Sequence, residues 1–354
     1  VEEKYLYQQL GLPVFQNKIY SSPESAVRAV TGDVALVQSP ESGLVGNALF
    51  QPALLDYDAD YQNEQACSQA FRSHLEKVLQ IIQAQVSPGD VGIEIGCGKG
   101  YFLEMLASSG ANVTGYDPAY EGSDTRVIKQ YFGSERVSVV PDYLILRHVL
   151  EHIPTPWLFI SELAAVCKTG TKIYIEVPCF EWIVENNAFY DVFYEHVNYF
   201  TLDVLERTFR NVIECGKIFG GQYLYVIAQL DSFRIPEGYT GKMFSPLTMD
   251  KYLENLLARR MSDSGDLYVW GAGAKGITFS NIVARHEIKV SALVDINPAK
   301  QNKYAGLSGI PIVSPRDVLS KLDGADVFVM NPVYLNEIKA MAGPAAINWI
   351  SVTS

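Results

Sequence analysis

The chain has 354 residues, 48% hydrophobic and 19% charged, which is material for two or three buried cores and too apolar for a mostly disordered chain. Forty acidic residues against 28 basic ones give a formal net charge of −12, and no dense basic run interrupts it, so nucleic acid is excluded as an expected partner. No run of eighteen apolar residues occurs and Val1-Glu2-Glu3-Lys4 lacks the parts of a signal peptide, so no membrane partner and a cytoplasmic location are expected.

Residues 1–85 read as a mixed N-terminal block. Val34-Ala35-Leu36-Val37 has strand character, and a tyrosine-rich stretch runs from Tyr57 to Tyr61. The spacing of Phe71, Leu75, Val78, Leu79 and Ile82 predicts a helix over 69–85, stopped by Ser87-Pro88-Gly89-Asp90. A central domain is expected over 86–232, with strands at 91–95, 112–116, 143–146 and 172–177 and helices at 101–108 and 156–166. Apolar runs at 211–218 and 224–230 complete its sheet. Strands alternating with helices imply an α/β fold with a parallel, doubly wound sheet. A polar, proline-containing connection over 231–246 leads to a helix at 249–261. A second α/β series follows within 233–354, with strands at 267–270, 290–294 and 327–330. The chain therefore reads as two Rossmann-like units behind a smaller N-terminal region. Five scattered cysteines (Cys67, Cys97, Cys167, Cys179, Cys215) form no C-x-x-C pair, so neither a disulfide framework nor a four-cysteine zinc site is expected.

Each unit carries a glycine loop between a strand and a helix. The first is Glu94-Ile95-Gly96-Cys97-Gly98-Lys99-Gly100, with Asp117 seventeen residues beyond Gly100 at the end of the next strand. Glycines let the backbone turn and approach a ligand, and an acid there can accept hydrogen bonds from the ribose hydroxyls of an adenosine. The acidic Glu94 and the G-x-G-x-G spacing resemble S-adenosylmethionine-dependent methyltransferases more than dehydrogenases. The second loop, Gly271-Ala272-Gly273-Ala274-Lys275-Gly276, has Asp295 nineteen residues on and satisfies the dinucleotide fingerprint. Lys275 at the helix N-terminus would add charge for a phosphate. A nucleotide-bearing substrate is its simplest occupant; the alternatives are a nicotinamide cofactor and a loop that has lost its ligand.

Two segments follow strand ends, where such sheets hold substrates. In Arg147-His148-Val149-Leu150-Glu151-His152, the histidines are candidates for proton transfer near neutral pH. On a helix their i,i+4 spacing would place both on one face, a metal-like arrangement without an obvious third ligand. Phe193-Tyr194-Glu195-His196 brings phenol, carboxylate and imidazole together.

At these residues the chain resembles the bacterial nucleotide-ketosugar C-methyltransferases over nearly its whole length. The most specific parts are Leu150-Glu151-His152, the Glu195-His196 pair, and the second glycine loop with Val294-Asp295-Ile296-Asn297-Pro298. The resemblance implies a central domain that holds S-adenosylmethionine through Glu94, Gly96, Cys97, Gly98, Gly100, Asp117, Arg147 and His148. It implies a C-terminal domain that helps hold the substrate's nucleotide through Gly271, Gly273, Lys275 and Asp295, with Tyr61 in a lid. His196 would be the base, oriented by Glu195, with Tyr194 and His152 acting on the neighbouring oxygen. Members of the family commonly open with a zinc module containing C-P-x-C-G. Here Ser39-Pro40-Glu41-Ser42-Gly43 has serine at both thiol positions, so no metal is expected. The family's tyrosine two residues before the glutamate is Phe193 here. Expected, then, is methyl transfer to carbon of a small, nucleotide-activated keto metabolite. The alternatives are oxygen or nitrogen methylation, an NAD-dependent oxidoreductase, and a non-catalytic binding protein.

Overall fold

The computed structural model describes residues 5–55, 66–133, 140–247, 249–260 and 267–353. The tyrosine-rich stretch, Tyr61 included, lies outside the described residues, and with it the expected lid contact. Among the described residues, eighteen strands form three sheets. The N-terminal block supplies β1 (Tyr7–Pro13), β2 (Ile19–Tyr20), β3 (Thr31–Gln38) and β4 (Val45–Asn47). The central series is β5 (Val91–Ile95), β6 (Asn112–Tyr116), β7 (Val127–Ile128), β8 (Tyr143–Arg147), β9 (Lys172–Pro178), β10 (Asn198–Tyr199), β11 (Val212–Ile218) and β12 (Tyr223–Gln229). The C-terminal series is β13 (Leu267–Trp270), β14 (Ala292–Val294), β15 (Lys303–Ala305), β16 (Pro311–Val313), β17 (Asp326–Val329) and β18 (Asn348–Ser351).

The central sheet runs β11-β12-β9-β8-β5-β6-β7, with β12 antiparallel to β9 and to β11, and every other pairing parallel. Its strands are nearly all apolar because helices cover both faces of a parallel sheet. The C-terminal sheet runs β18-β17-β13-β14-β16-β15-β2 and is parallel from β18 to β16. In each sheet the chain order reverses at the first strand, β5 or β13, so a crevice opens beyond its carboxyl end. Both glycine loops leave from those points.

Short strands stitch the N-terminal block to both units. β2 adds antiparallel to β15, and β10 pairs with β4 to extend the N-terminal sheet. The helix Gln69–Gln83 also belongs physically with the central sheet. Ser68 accepts from Phe71 N–H at its start, and Phe71, Leu75, Val78 and Ile82 bury against Phe102, Leu103 and Leu106. Full burial of such side chains stabilises by roughly 1.5–3 kcal/mol each. The helix ends two residues earlier than its apolar spacing predicts, where Gln85 N–H closes a tighter turn onto Ile82. No helix among the described residues is long and apolar enough to cross a membrane.

The serines that stand where a zinc module has thiols lie in the β3–β4 turn. Ser39 Oγ accepts from the amides of Glu41 (3.3 Å) and Ser42 (3.2 Å), and Ser42 Oγ accepts from Leu44 (3.3 Å). Hydroxyls thus hold the turn amides directly.

Candidate active site

Both glycine loops open on one cleft of about 730 Å³. In the first, Gly96 has φ +71°, and a Cβ there would come within 2.5 Å of Val149 Cγ2. Its amide donates to the Tyr116 carbonyl at 2.7 Å. Gly98 N–H donates to Asp117 Oδ2 and Ala119 N–H to Oδ1, both at 2.8 Å, so Asp117 holds the loop while it lines the cleft. Gly100, left-handed, starts the helix Tyr101–Ser108. Cys97 packs its sulfur against β6, 2.7 Å from where a Cβ on Gly115 would sit, and burial pushes its thiol pKa up. It is a packing residue, not a reactive thiol.

Glu94 lies beneath this loop with Oε2 unpartnered. Burial raises its pKa to about 7, against the opposing charge of Arg147 and with the help of Asp117. Arg147 donates to Glu176 Oε1 at 3.2 Å and lies over the Phe102 ring. It is therefore first a buried counter-ion, joining the carboxylates of β5 and β9. Glu176 also meets His148 Nε2 (3.0 Å), His74 Nε2 (3.2 Å) and the Tyr174 hydroxyl (2.7 Å). Burial alone would raise its pKa; Arg147 and the two imidazoles hold it well below the carboxylate value.

His148 does not share a helix face with His152, as their spacing suggested. It has φ +53°, and only a 3₁₀ turn, Leu150–His152, follows. The left-handed backbone aims its ring between Glu176 and Glu151, with Glu151 Oε1 3.3 Å from Nδ1. Burial would lower its pKa, but the two carboxylates outweigh it and push it up to about 9. His148 is thus a half-buried cation, edge-on to the Tyr223 ring at 4.5 Å.

His196 stands in the same cleft with the opposite character. It is buried, its Nδ1 has no partner, and it lies against Phe193 (centroids 4.0 Å apart) and His152 (4.9 Å). Burial, then the imidazoles of His152 and His148, holds its pKa well below the histidine value, so it is neutral with a lone pair available. His152 Nδ1 is held by the Glu195 carbonyl at 2.9 Å. Glu151, fully buried, meets His148 through Oε1 while Oε2 has no hydrogen bond, and its ligand atom lies within 4.8 Å of those of His152 and His196. These three are the described residues that could gather round a cation.

Two expected catalytic roles change. Tyr194 points away from the cleft: its hydroxyl accepts from Gln51 N–H (2.8 Å) and donates to the Gln51 carbonyl (3.2 Å), while its ring covers Gly32. It fastens the N-terminal block because the turn after Phe193 directs alternate side chains inward and outward. Glu195 turns its Oε2 to the Gln16 amide at 3.0 Å, so it positions His152 through its carbonyl instead of orienting His196 with its carboxylate. Tyr223, on β12, lines the cleft and contacts the His148 ring; burial keeps it protonated. Neither Tyr223 nor Glu176 carried a sequence signal, since both sit inside apolar strand runs.

At the second loop, Gly271 N–H donates to the Val294 carbonyl, Ala272 N–H to Asp295 Oδ2 and Asn297 N–H to Asp295 Oδ1, each at 2.8 Å. Gly273 caps the helix Ala274–Ala284 without a side-chain bond. Lys275 is not presented to a phosphate: its ammonium lies 2.8 Å from Asp191 and 2.7 Å from Gln222 Oε1, over the Trp182 ring. The side chain follows the interdomain carboxylate instead of the helix axis.

Residues 67–212 match a methyltransferase domain model, and residues 245–342 match a C-methyltransferase C-terminal domain. The C-methyltransferase NovU of Streptomyces niveus is 25% identical over 158 residues, covering 39% of this chain and 36% of that protein. The ubiquinone biosynthesis O-methyltransferase of Coxiella burnetii is 27% identical over 110 residues, covering 27% and 47%. The chain thus spans between a third and a half of the length of these curated relatives. Among solved structures, the PH0226 protein of Pyrococcus horikoshii aligns with a TM-score of 0.38 at 16% identity, over 46% of this chain and 92% of that one. The central domain has the Rossmann-like fold of S-adenosylmethionine-dependent methyltransferases, followed by a C-methyltransferase C-terminal domain.

Proposed function

We propose that this chain transfers a methyl group from S-adenosylmethionine to a carbon of a small, nucleotide-linked keto metabolite. The observation that carries this reading is a neutral, buried imidazole with an unpartnered nitrogen, His196, in the same cleft as the first glycine loop and Asp117. The loop suits the cofactor: its left-handed glycines clear the approach of an adenosine, and Asp117 and Glu94 put acid where a cationic ligand gains from it. When bound, S-adenosylmethionine supplies an electrophilic methyl carbon on a sulfonium sulfur.

The residues divide the remaining work. His196 Nδ1 accepts the proton from the carbon beside the ketone, and the C–H electron pair passes into an enolate. The hydroxyl of Tyr223, which lines the cleft, is the donor for the enolate oxygen, while His152, its Nδ1–H committed to the Glu195 carbonyl, presents an acceptor nitrogen. His148, a cation held between Glu176 and Glu151, lies edge-on to the Tyr223 ring and fixes that phenol's place in the cleft. The cleft walls would hold the enolate carbon against the cofactor's methyl carbon; the new carbon–carbon bond would form as the carbon–sulfur pair returns to sulfur and S-adenosylhomocysteine leaves.

His196→Ala should lower kcat by about 10²–10⁴-fold with S-adenosylhomocysteine affinity unchanged. It should also stop exchange of the substrate's acidic hydrogen with deuterated water. Exchange and turnover at wild-type rates would remove His196 as the base. Product methylated on oxygen or nitrogen would remove the carbon acceptor.

A further inference from the structure

The reading of a nucleotide-linked substrate leaves open which residues meet its phosphates, since Lys275 is committed to Asp191 and Gln222. Resting on that reading, we propose that the substrate's diphosphate is held at the second glycine loop by the side chains of Asn297 and Lys300, with the first-turn amides of the helix Ala274–Ala284.

Asn297 is only 6% exposed. Its Oδ1 accepts from Ala299 N–H at 3.0 Å, whereas Nδ2 has no partner, and the residue lines the cleft. A buried amide nitrogen without an acceptor is unfavourable unless a ligand meets it. Lys300, 4% exposed, also lines the cleft and donates from Nζ to the Ala272 carbonyl at 3.1 Å. An ammonium has three donors, so this bond anchors it to the loop and leaves others for a ligand. Behind them the eleven-residue helix begins at an N-cap glycine with no side-chain cap, so its first amides remain donors.

Charge separates this loop from the first. Glu94, the register equivalent of Val269, places an acid beneath the first loop; beneath the second the position is apolar. The acid of the second loop, Asp295, accepts from Ala272 and Asn297 amides with both oxygens. Burial lowers the Lys300 pKa, Asp295 opposes it, and Lys99 of the first loop lowers it further. Two cations feeling each other across one cleft would be relieved by an anion between them. A diphosphate supplies that charge and matches the donors: amides, an amide side chain and an ammonium.

The test is calorimetric titration of the full chain, saturated with S-adenosylhomocysteine, with dTDP, UDP, inorganic pyrophosphate and NAD. The wild type should bind a nucleoside diphosphate, and Asn297→Ala and Lys300→Gln should each weaken it about tenfold or more. Lys275→Gln should leave that affinity within about twofold. Thermal melts and retained S-adenosylhomocysteine binding establish that each variant is folded; Lys300→Arg, which keeps the charge, should retain part of the affinity. Binding of NAD through the same two side chains keeps the diphosphate site and makes its source a dinucleotide. Wild-type binding that neither Asn297→Ala nor Lys300→Gln alters overturns the site while the nucleotide-linked reading stands. Wild-type binding of S-adenosylhomocysteine but of no diphosphate overturns both and leaves methyl transfer intact.

Discussion

The two glycine loops of this chain are built by the same device and differ in the charged groups beside them. In each, the first amide bonds to the last carbonyl of the second strand, and an aspartate just beyond that strand clamps one loop amide and one downstream amide. The four carboxylate bonds are all 2.8 Å. The first loop then runs over five residues, through three left-handed glycines, above the buried Glu94. The second is shorter, enters its helix directly after Gly273, and has Val269 beneath and Lys300 bound to its carbonyl. The aspartate that marks a ribose ligand in such fingerprints is thus a loop clamp first, in both units. What separates the units is the residue under the loop, a buried acid in the first and a valine in the second, and the proposed preferences for a cation and an anion rest on that difference.

The largest effect should come from the tightest packing. A Cβ on Gly276 would overlap the Gly271 carbonyl oxygen, a backbone atom that cannot give way. Gly276→Ala should therefore unfold or misassemble the C-terminal unit, seen as insoluble protein or a lost thermal transition. Gly273 has φ −85°, and a Cβ there would find its nearest neighbour, Asn17 Oδ1, at 4.0 Å. Gly273→Ala should therefore shift stability by no more than about 1 kcal/mol. Equal damage from both would break the assignment of Gly276 as the close-packing glycine.

The clamps offer the next contrast. Asp117→Asn removes a charged acceptor from two amides, and S-adenosylhomocysteine affinity should fall about 10–100-fold. Asp295→Asn should spare that affinity and weaken nucleoside diphosphate binding instead. A single titration of each variant with both ligands reads the cross, and loss of both affinities in either variant would mean that the loops are not independent.

The smallest effect is set by pH. The folded pKa of Glu94, about 7, lies above its ordinary value of 4.5, so the folded state retains a proton between those values. Its contribution to stability is then greatest below about pH 4.5 and is lost as pH rises through 7. A cationic ligand reverses the preference by favouring the carboxylate. Affinity for S-adenosylmethionine should rise about tenfold between roughly pH 6 and 8, with proton release, and more steeply than affinity for S-adenosylhomocysteine. Glu94→Gln should flatten the difference; a flat profile in the wild type would take Glu94 out of cofactor binding.

Much of the frame was legible from the residues. Helix periodicity predicted 101–108 and 156–166 to the residue, because capping or proline punctuation and an apolar stripe agree there. The short strands β2, β4, β7, β10, β15 and β16, of two or three residues, left no periodic trace, and all but β16 stitch the N-terminal block to its neighbours or edge the sheets. At the site, the spacing of His148 and His152 suggested one helix face, but a left-handed residue and a 3₁₀ turn sent the rings to different partners. Tyr194, expected at the reacting oxygen, left the cleft for a similar reason, and Tyr223, which carried no signal, lines it. Which phenol enters the cleft depends on where each strand or loop faces after packing, not on what stands beside it in sequence.

By itself, the sequence determined the local grammar: alternating strands and helices, two glycine turns where only small residues fit, and acids at the strand ends that can bond loop amides. These follow from backbone sterics and hydrogen-bond reach over a few residues. The tertiary structure alone decided the charges. It buried Glu176 among His74, Arg147 and His148, kept His148 cationic and His196 neutral in one cleft, and turned Lys275 to Asp191 and Lys300 to the loop. Ionisation depends on which groups share a low-dielectric space, and that is fixed only when distant segments pack together.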